Sequence, residues 1–252
     1  MPDDLAPLTE EVAAWAAAGL RLPLWLRDDD ATAPSPELDR LIAAAEGWRM
    51  PLHLAVIPAG AGMALADRIA TAPGVRVLVH GWAHADHEGP QAKKSEFGQA
   101  RPPEVALADA RRGHERLRTL FGARVLPVFV PPWNRIAPAV AQGLPGLGYA
   151  ALSATPGAAP EVPGLLRIDA ELDPVDWHGA RSALPVTMLA LRAARALAAR
   201  RHAGVAQPLC ILTHHLVHDA ALWARIGQLV RSLRPVATPF DLAGVFATET
   251  MS

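Results

Sequence analysis

The chain has 252 residues, with 24 basic against 25 acidic side chains for a formal net charge of −1, and 51% of it is hydrophobic. That balance excludes a disordered polymer and gives no charge-based reason to expect a nucleic acid or an anionic membrane as partner. Its single cysteine, Cys210, excludes an intramolecular disulfide and any cysteine-rich zinc module.

In chain order, Met1-Pro2-Asp3-Asp4 is acidic and no basic stretch leads into an apolar run. No secretory signal is read there, and a cytoplasmic location is expected. Leu22 to Leu26 reads as a strand, and Ser35-Pro36 then caps a helix that Gly47 closes. Leu52 to Ile57 is a second strand, Met63 to Ala70 a helix, and Val75 to Val79 a third strand. An irregular stretch from Gly81 to about Pro103 precedes an Arg-rich helix over Glu104 to Phe121, ended by Gly122. Val125 to Val130 is a fourth strand, followed by a helix near Ala137 to Gly143. Tyr149 to Leu152 and Leu165 to Ile168 read as weaker strands. Then come a helix over Leu184 to Arg201, a strand over Leu209 to Thr213, a helix over Ala220 to Leu233 and a short strand at Val236-Ala237. Apolar runs are all broken before the roughly 18 residues a membrane span needs.

Repeated β-then-α units imply parallel strands with right-handed crossovers. One domain over residues 1–252 is expected, an α/β fold closed into a distorted (β/α) barrel with about seven parallel strands. An open doubly wound sheet is the alternative.

The strands end in unusual residues. The first runs into Arg27-Asp28-Asp29-Asp30, the third into His80-Gly81-Trp82-Ala83-His84, the fourth into Pro131-Pro132-Trp133-Asn134 and the late one into His214-His215. Ligands gather at the C-terminal rim of such sheets. Three adjacent aspartates repel one another, and a bound cation or simple exposure relieves them. The spacing of His80 and His84 would put both imidazoles on one face of a helical turn. Two histidines and one carboxylate leave an open position on a divalent ion. Strand alternation separates His214 from His215 but leaves open which faces the pocket. His218-Asp219 reads as the start of the next helix, Cys210 as a small buried strand residue, and Trp15, Trp25, Trp48 and Trp223 as packing. Asp176-Trp177-His178 falls in a loop.

Together these motifs resemble the polysaccharide deacetylase (NodB-homology) family over roughly Leu22 to Val236. The resemblance implies Asp28 as catalytic base and Asp29, His80 and His84 as metal ligands. Trp133 matches the aromatic residue after the family's Pro-Pro, implying an oxyanion-binding backbone N–H and a groove wall. Asp176-Trp177 matches the Asp-Trp motif, implying that Asp176 orients an acid histidine and Trp177 lines the substrate site. Leu212-Thr213-His214 matches Leu-x-His, implying His214 as general acid and Leu212 as a lining of the acyl pocket. Two positions depart from the pattern. The motif-three arginine is Val130, with Arg27 or Arg135 as substitutes, and the glycine after the aspartate pair is Asp30.

The expected activity is a metal-dependent amide hydrolase, an N-deacetylase of a sugar or related small N-acyl compound. Zinc is the expected ion, with cobalt, nickel or iron also suited to the ligand set. The rival readings are a catalytically silent metal- and sugar-binding relative, motivated by Val130, and an oxygen-activating iron enzyme. The segment Glu88 to Arg101, carrying Lys93, Lys94 and Arg101, reads either as a lid that would favour an anionic substrate or as a solvated mobile loop.

Overall fold

A computed structural model of the chain describes residues 4–249 except 178 and 206, without the side chains of 248 and 249. The elements run α1 (Ala6–Ala17), β1 (Leu22–Ala31), α2 (Pro36–Trp48), β2 (Leu52–Val56), α3 (Met63–Ala70), β3 (Val75–His80), α4 (Pro103–Phe121) and β4 (Val125–Val130). They continue as α5 (Pro138–Gly143), β5 (Ala151–Leu152), β6 (Leu166–Arg167), α6 (Val186–Ala203), β7 (Leu209–Thr213), α7 (Ala220–Leu233), β8 (Ala237–Pro239) and α8 (Leu242–Glu249). Caps act where the sequence places them. The Ser35 hydroxyl accepts the Leu38 N–H at 3.1 Å, and Asp219 accepts the Leu222 N–H at 2.7 Å at the start of α7. The helix α2 runs through Gly47 and ends with Arg49 in the left-handed region.

The strands pair in parallel in the order β6-β5-β4-β3-β2-β1-β7, with β8 beside the start of β1. This is a curled half-barrel of seven parallel strands in one α/β domain. The gap is spanned after β6: the Ala170 N–H bonds to Ala154 O at 2.7 Å, and Leu172 bridges Ile211 of β7. Strand alternation divides the core. Leu24, Leu26, Leu54, Val77, Phe129 and Ile211 face the helix layer. Trp25, Ala55, Leu78, Val128, Val130, Cys210 and Leu212 fill the barrel interior.

One end of that interior is stoppered by α8. The Nδ1–H of His53, in β2, donates to Leu26 O at 3.2 Å, so its Nε2 can accept the Leu242 N–H at 3.1 Å. Asp241, just before α8, takes Arg76 at 2.6 Å. Partial burial raises the Asp241 carboxyl, but the hydrogen bonds from the Ala243 N–H and Arg76, with the Arg76 charge, outweigh it and hold it well below the ordinary range. A depressed native pKa stabilises the fold above the unfolded value of about 4 and ceases to do so as the carboxyl protonates. Asp241→Asn is therefore expected to cost about 1 kcal/mol at pH 7. In urea melts the difference from wild type should narrow steadily once the pH falls below about 4. A pH-independent difference would show that the carboxylate charge is not what holds α8.

Among the described residues no helix is long and apolar enough to cross a membrane.

Candidate metal and acid–base site

The first strand is longer than its apolar run because all three aspartates are ordered within it. Their side chains take three different partners. Asp28 points to the helix layer, where Oδ1 accepts the Nδ1–H of His215 at 2.5 Å and Oδ2 accepts the Thr213 hydroxyl at 2.7 Å and the His215 N–H at 2.9 Å. Asp29 points into the barrel and is gripped bidentately by Arg27, whose Nε and Nη2 lie 2.8 and 2.7 Å from its two oxygens. Asp30, at φ 74°, turns to the rim, where Oδ1 lies 3.1 Å from His80 Nε2 and 3.3 Å from His84 Nε2.

The cluster that could hold an ion is therefore Asp30, His80 and His84, with one donor atom from each lying within 4.8 Å of the others. The sequence reading put Asp29 there, one residue early. Alternation explains the difference: Trp25, Arg27 and Asp29 share the inward face, so Asp29 lies one step down the barrel beside Arg27. His80 and His84 do meet, their ring centroids 5.2 Å apart, but through a loop rather than a helical turn. Gly81 at φ 57° and His84 at φ 54° make that turn.

The donor set suits a divalent cation. The His80 Nδ1–H donates to Val130 O at 3.0 Å, which fixes its tautomer and aims Nε2 at Asp30. Burial lowers the His80 pKa, but the Asp30 hydrogen bond and the charges of Asp29 and Asp30 prevail and raise it. His84 is lowered, by burial and by the neighbouring His80 charge. Burial pushes the Asp30 carboxyl up, but the His80 hydrogen bond and the His80, His214 and His84 imidazoles outweigh it and hold it down. Six non-glycine residues among those described have positive φ, and Asp30, His84, Trp133 and Asn134 are four of them. Each costs about 1–3 kcal/mol and persists only where the surroundings impose it.

Of the two arginines weighed for the charge absent at Val130, Arg27 is the one that reaches an aspartate of β1. It is fully buried, and besides Asp29 it donates to Ser153 Oγ at 2.7 Å and Asn134 Oδ1 at 3.1 Å. Val130 lies inward, level with His80 across the β3–β4 pairing. Burial opposes the Asp29 charge, yet the Arg27 guanidinium, His80 and His214 overcome it, so the Asp29 carboxyl stays below its ordinary range. The other candidate, Arg135, instead donates to Lys94 O at 2.8 Å.

Across the mouth, His214 follows Cys210 and Leu212 on the inward face of β7, and Trp177 stands edge-on to it with centroids 4.7 Å apart. Its own N–H donates to His218 Nε2 at 3.1 Å; burial first of all lowers the His218 pKa to about 4, which keeps that nitrogen an acceptor. The nearby carboxylate is Asp173, which sequence reasoning did not select. Its Oδ2 accepts the Trp177 indole N–H at 2.6 Å, and burial raises its pKa against the opposing His214 charge. Asp176 forms a local turn, accepting the Gly179 N–H at 3.0 Å; His178 lies outside the described residues. The Asp-Pro-Val-Asp spacing held a second carboxylate that could have been weighed. Trp133 lays its ring over His84 at 4.2 Å between centroids, as a wall at this rim. Leu212 is buried in the barrel interior.

No protein-family model and no curated protein matches the sequence. Solved structures do. A family 4 carbohydrate esterase from Streptomyces lividans in complex with acetate is 16% identical over 87% of this chain and 92% of its own, at a TM-score of 0.57. A family 4 acetyl xylan esterase from Clostridium thermocellum, in complex with a cobalt ion, is 13% identical over 90% of this chain and 91% of its own, at a TM-score of 0.54. A mutant of a pseudoenzyme of the same esterase family, with restored enzymatic activity, is 12% identical over 85% of this chain and 63% of its own, at a TM-score of 0.55. At such identities the likeness is one of fold, and the fold of this chain is that of the NodB-like polysaccharide deacetylases and family 4 carbohydrate esterases.

Proposed function

We propose that the chain is a metal-dependent hydrolase that removes an acyl group, acetyl above all, from an N-acylated sugar or related small molecule. The observation that carries this is the meeting of Asp30, His80 and His84 at the mouth of the barrel, beside an arginine-held carboxylate and a histidine. Asp30, His80 and His84 would hold the ion, zinc by preference, and it would supply Lewis acidity and a lowered water pKa.

The remaining roles fall to this chain's own groups. Asp29, kept ionised by Arg27, accepts the proton of the attacking water. The Trp133 N–H donates to the oxyanion that develops on the acyl carbonyl, an interaction of a kind worth about 3 kcal/mol. His214 hands a proton to the departing nitrogen, since an amine leaves poorly without one. Asp173 replaces Asp176 in our reading as the carboxylate that supports the protonated His214. Trp177 and Trp133 wall the substrate, and Leu212 floors the acyl pocket.

The silent relative was motivated by the missing arginine at position 130. In our reading the Arg27–Asp29 ion pair answers that motive, with the guanidinium supplied from a different position, while the likeness to a pseudoenzyme of the esterase family supports the silent relative. The decisive experiment measures acetate release from N-acetylated sugars and from O-acetylated xylan, by protein stripped with a chelator and then reloaded with zinc or cobalt. Release that disappears on stripping and returns on reloading is expected, with the N-acetyl substrate preferred. Sugar and metal binding without acetate would establish the silent relative instead, and a requirement for oxygen would point to the iron enzyme.

A further inference from the structure

The segment 85–102 contains no strand or helix, yet it is stitched to the barrel mouth. The Ser95 N–H donates to Asp86 Oδ1 at 3.1 Å, the His87 N–H to Ser95 O at 3.0 Å and the Ala137 N–H to Phe97 O at 2.7 Å. Phe97 is fully buried and meets Phe129 edge-on, with centroids 4.9 Å apart. Arg101, expected to face a substrate, is tied to Asp109 at 2.6 Å, while Lys93 and Lys94 stay exposed. This is a strap, not a lid.

At its centre is Glu96, whose side chain is fully buried and forms no ion pair among the described residues. Its oxygens accept three successive backbone N–H groups: Trp82 at 3.1 Å and His84 at 3.2 Å on Oε2, and Ala83 at 2.7 Å on Oε1. A buried carboxylate without a cation is costly, and converging backbone N–H donors are one of the few arrangements that sustain it. The fit depends on Gly81, where a Cβ would run into both the Glu96 carboxylate and the Pro132 ring.

We propose that Glu96 is a positioning residue for the metal ligands, clamping the backbone of residues 82–84 so that His84 is held in its left-handed conformation facing His80 and Asp30. This rests on the metal reading above. It makes the strap a support of the ligand set, acting through backbone hydrogen bonds and touching neither ion nor substrate.

The test compares metal-free wild type with Glu96→Gln in two measurements. Amide hydrogen exchange at Trp82, Ala83 and His84 reads the clamp directly, without metal. Titration with cobalt(II), followed by its visible absorption, reads affinity and ligand geometry. A Gln side chain turns one N–H toward another donor, so exchange at those three amides should accelerate at least about tenfold while β1 is unchanged. Cobalt affinity should fall about 10- to 100-fold with an altered spectrum. In a His84→Ala background the same substitution should change affinity less than about twofold, because its route to the ion is gone. Wild-type affinity in Glu96→Gln, or an equal loss in the His84→Ala background, overturns the inference alone. A wild-type protein that takes up no cobalt overturns the metal reading and this inference with it. If Glu96→Gln fails to fold, Glu96→Asp, which retracts the charge by one methylene, should show both changes and decides in the same way.

Discussion

Asp30→Asn is expected to abolish stoichiometric metal uptake and activity together, whereas Asp29→Asn should keep its metal and lose about 10²- to 10⁴-fold in kcat. The two carboxylates are neighbours in sequence but differ in partner. Asp30 faces two imidazoles at 3.1 and 3.3 Å, while Asp29 is bound at both oxygens by one guanidinium. An amide at position 30 removes the only anionic donor of the ligand set. An amide at position 29 removes a proton acceptor but leaves Asp30, His80 and His84 intact. Metal analysis of the purified variants and single-turnover acetate release separate the cases. Metal lost from Asp29→Asn and retained by Asp30→Asn would return the ligand to position 29 and dismantle the mechanism proposed here.

Arg27→Met should be the most damaging single change to stability around the site. Both partners are almost wholly inside, with side-chain exposures of 0% for Arg27 and 3% for Asp29. Taking one partner from a buried pair costs about 3–5 kcal/mol, because the survivor is left charged and unsolvated. Ser153 and Asn134 lose a donor at the same time. The double variant Arg27→Met, Asp29→Asn should regain a good part of that loss in urea unfolding, since no charge is then stranded. Activity should be absent from both. If the single variant melts with wild-type stability, the pair does not stabilise the interior, and the arginine cannot be what keeps Asp29 ionised.

Much of the fold was legible from periodicity. The parallel β-α alternation, the caps at Ser35 and Asp219, and the long helix ended by Gly122 follow from local chemistry that tertiary contacts did not override. The first strand was read too short because aspartates ordinarily end strands; here Asp28 and Asp30 found partners from distant segments, which are invisible in local sequence, and Asp29 paired with Arg27 two residues before it. The aspartate matched to the ion from sequence, Asp29, is one residue before the aspartate that the fold sets beside His80 and His84. A motif match aligned the first two aspartates, whereas the inward phase of Trp25 and Arg27 already assigns Asp29 to the barrel face. His80 and His84 were found by spacing, although the loop that unites them depends on Gly81 and Glu96, fifteen residues apart in sequence. Asp173, the carboxylate we propose beside His214, was not selected because Asp176 of the Asp-Trp pair drew the assignment.

The placement of Arg27 has a mechanical side. Residues two apart on a strand point the same way at a spacing fixed by the pleat, about 6.5–7 Å from Cα to Cα. Carboxylate and counter-ion thus ride on a single rigid rod. Sliding or splaying of β2 or β7 against β1 would leave their separation unchanged, so the Arg27 share of the Asp29 acidity does not depend on how the neighbouring strands shift, whereas the shares of His80 and His214 do.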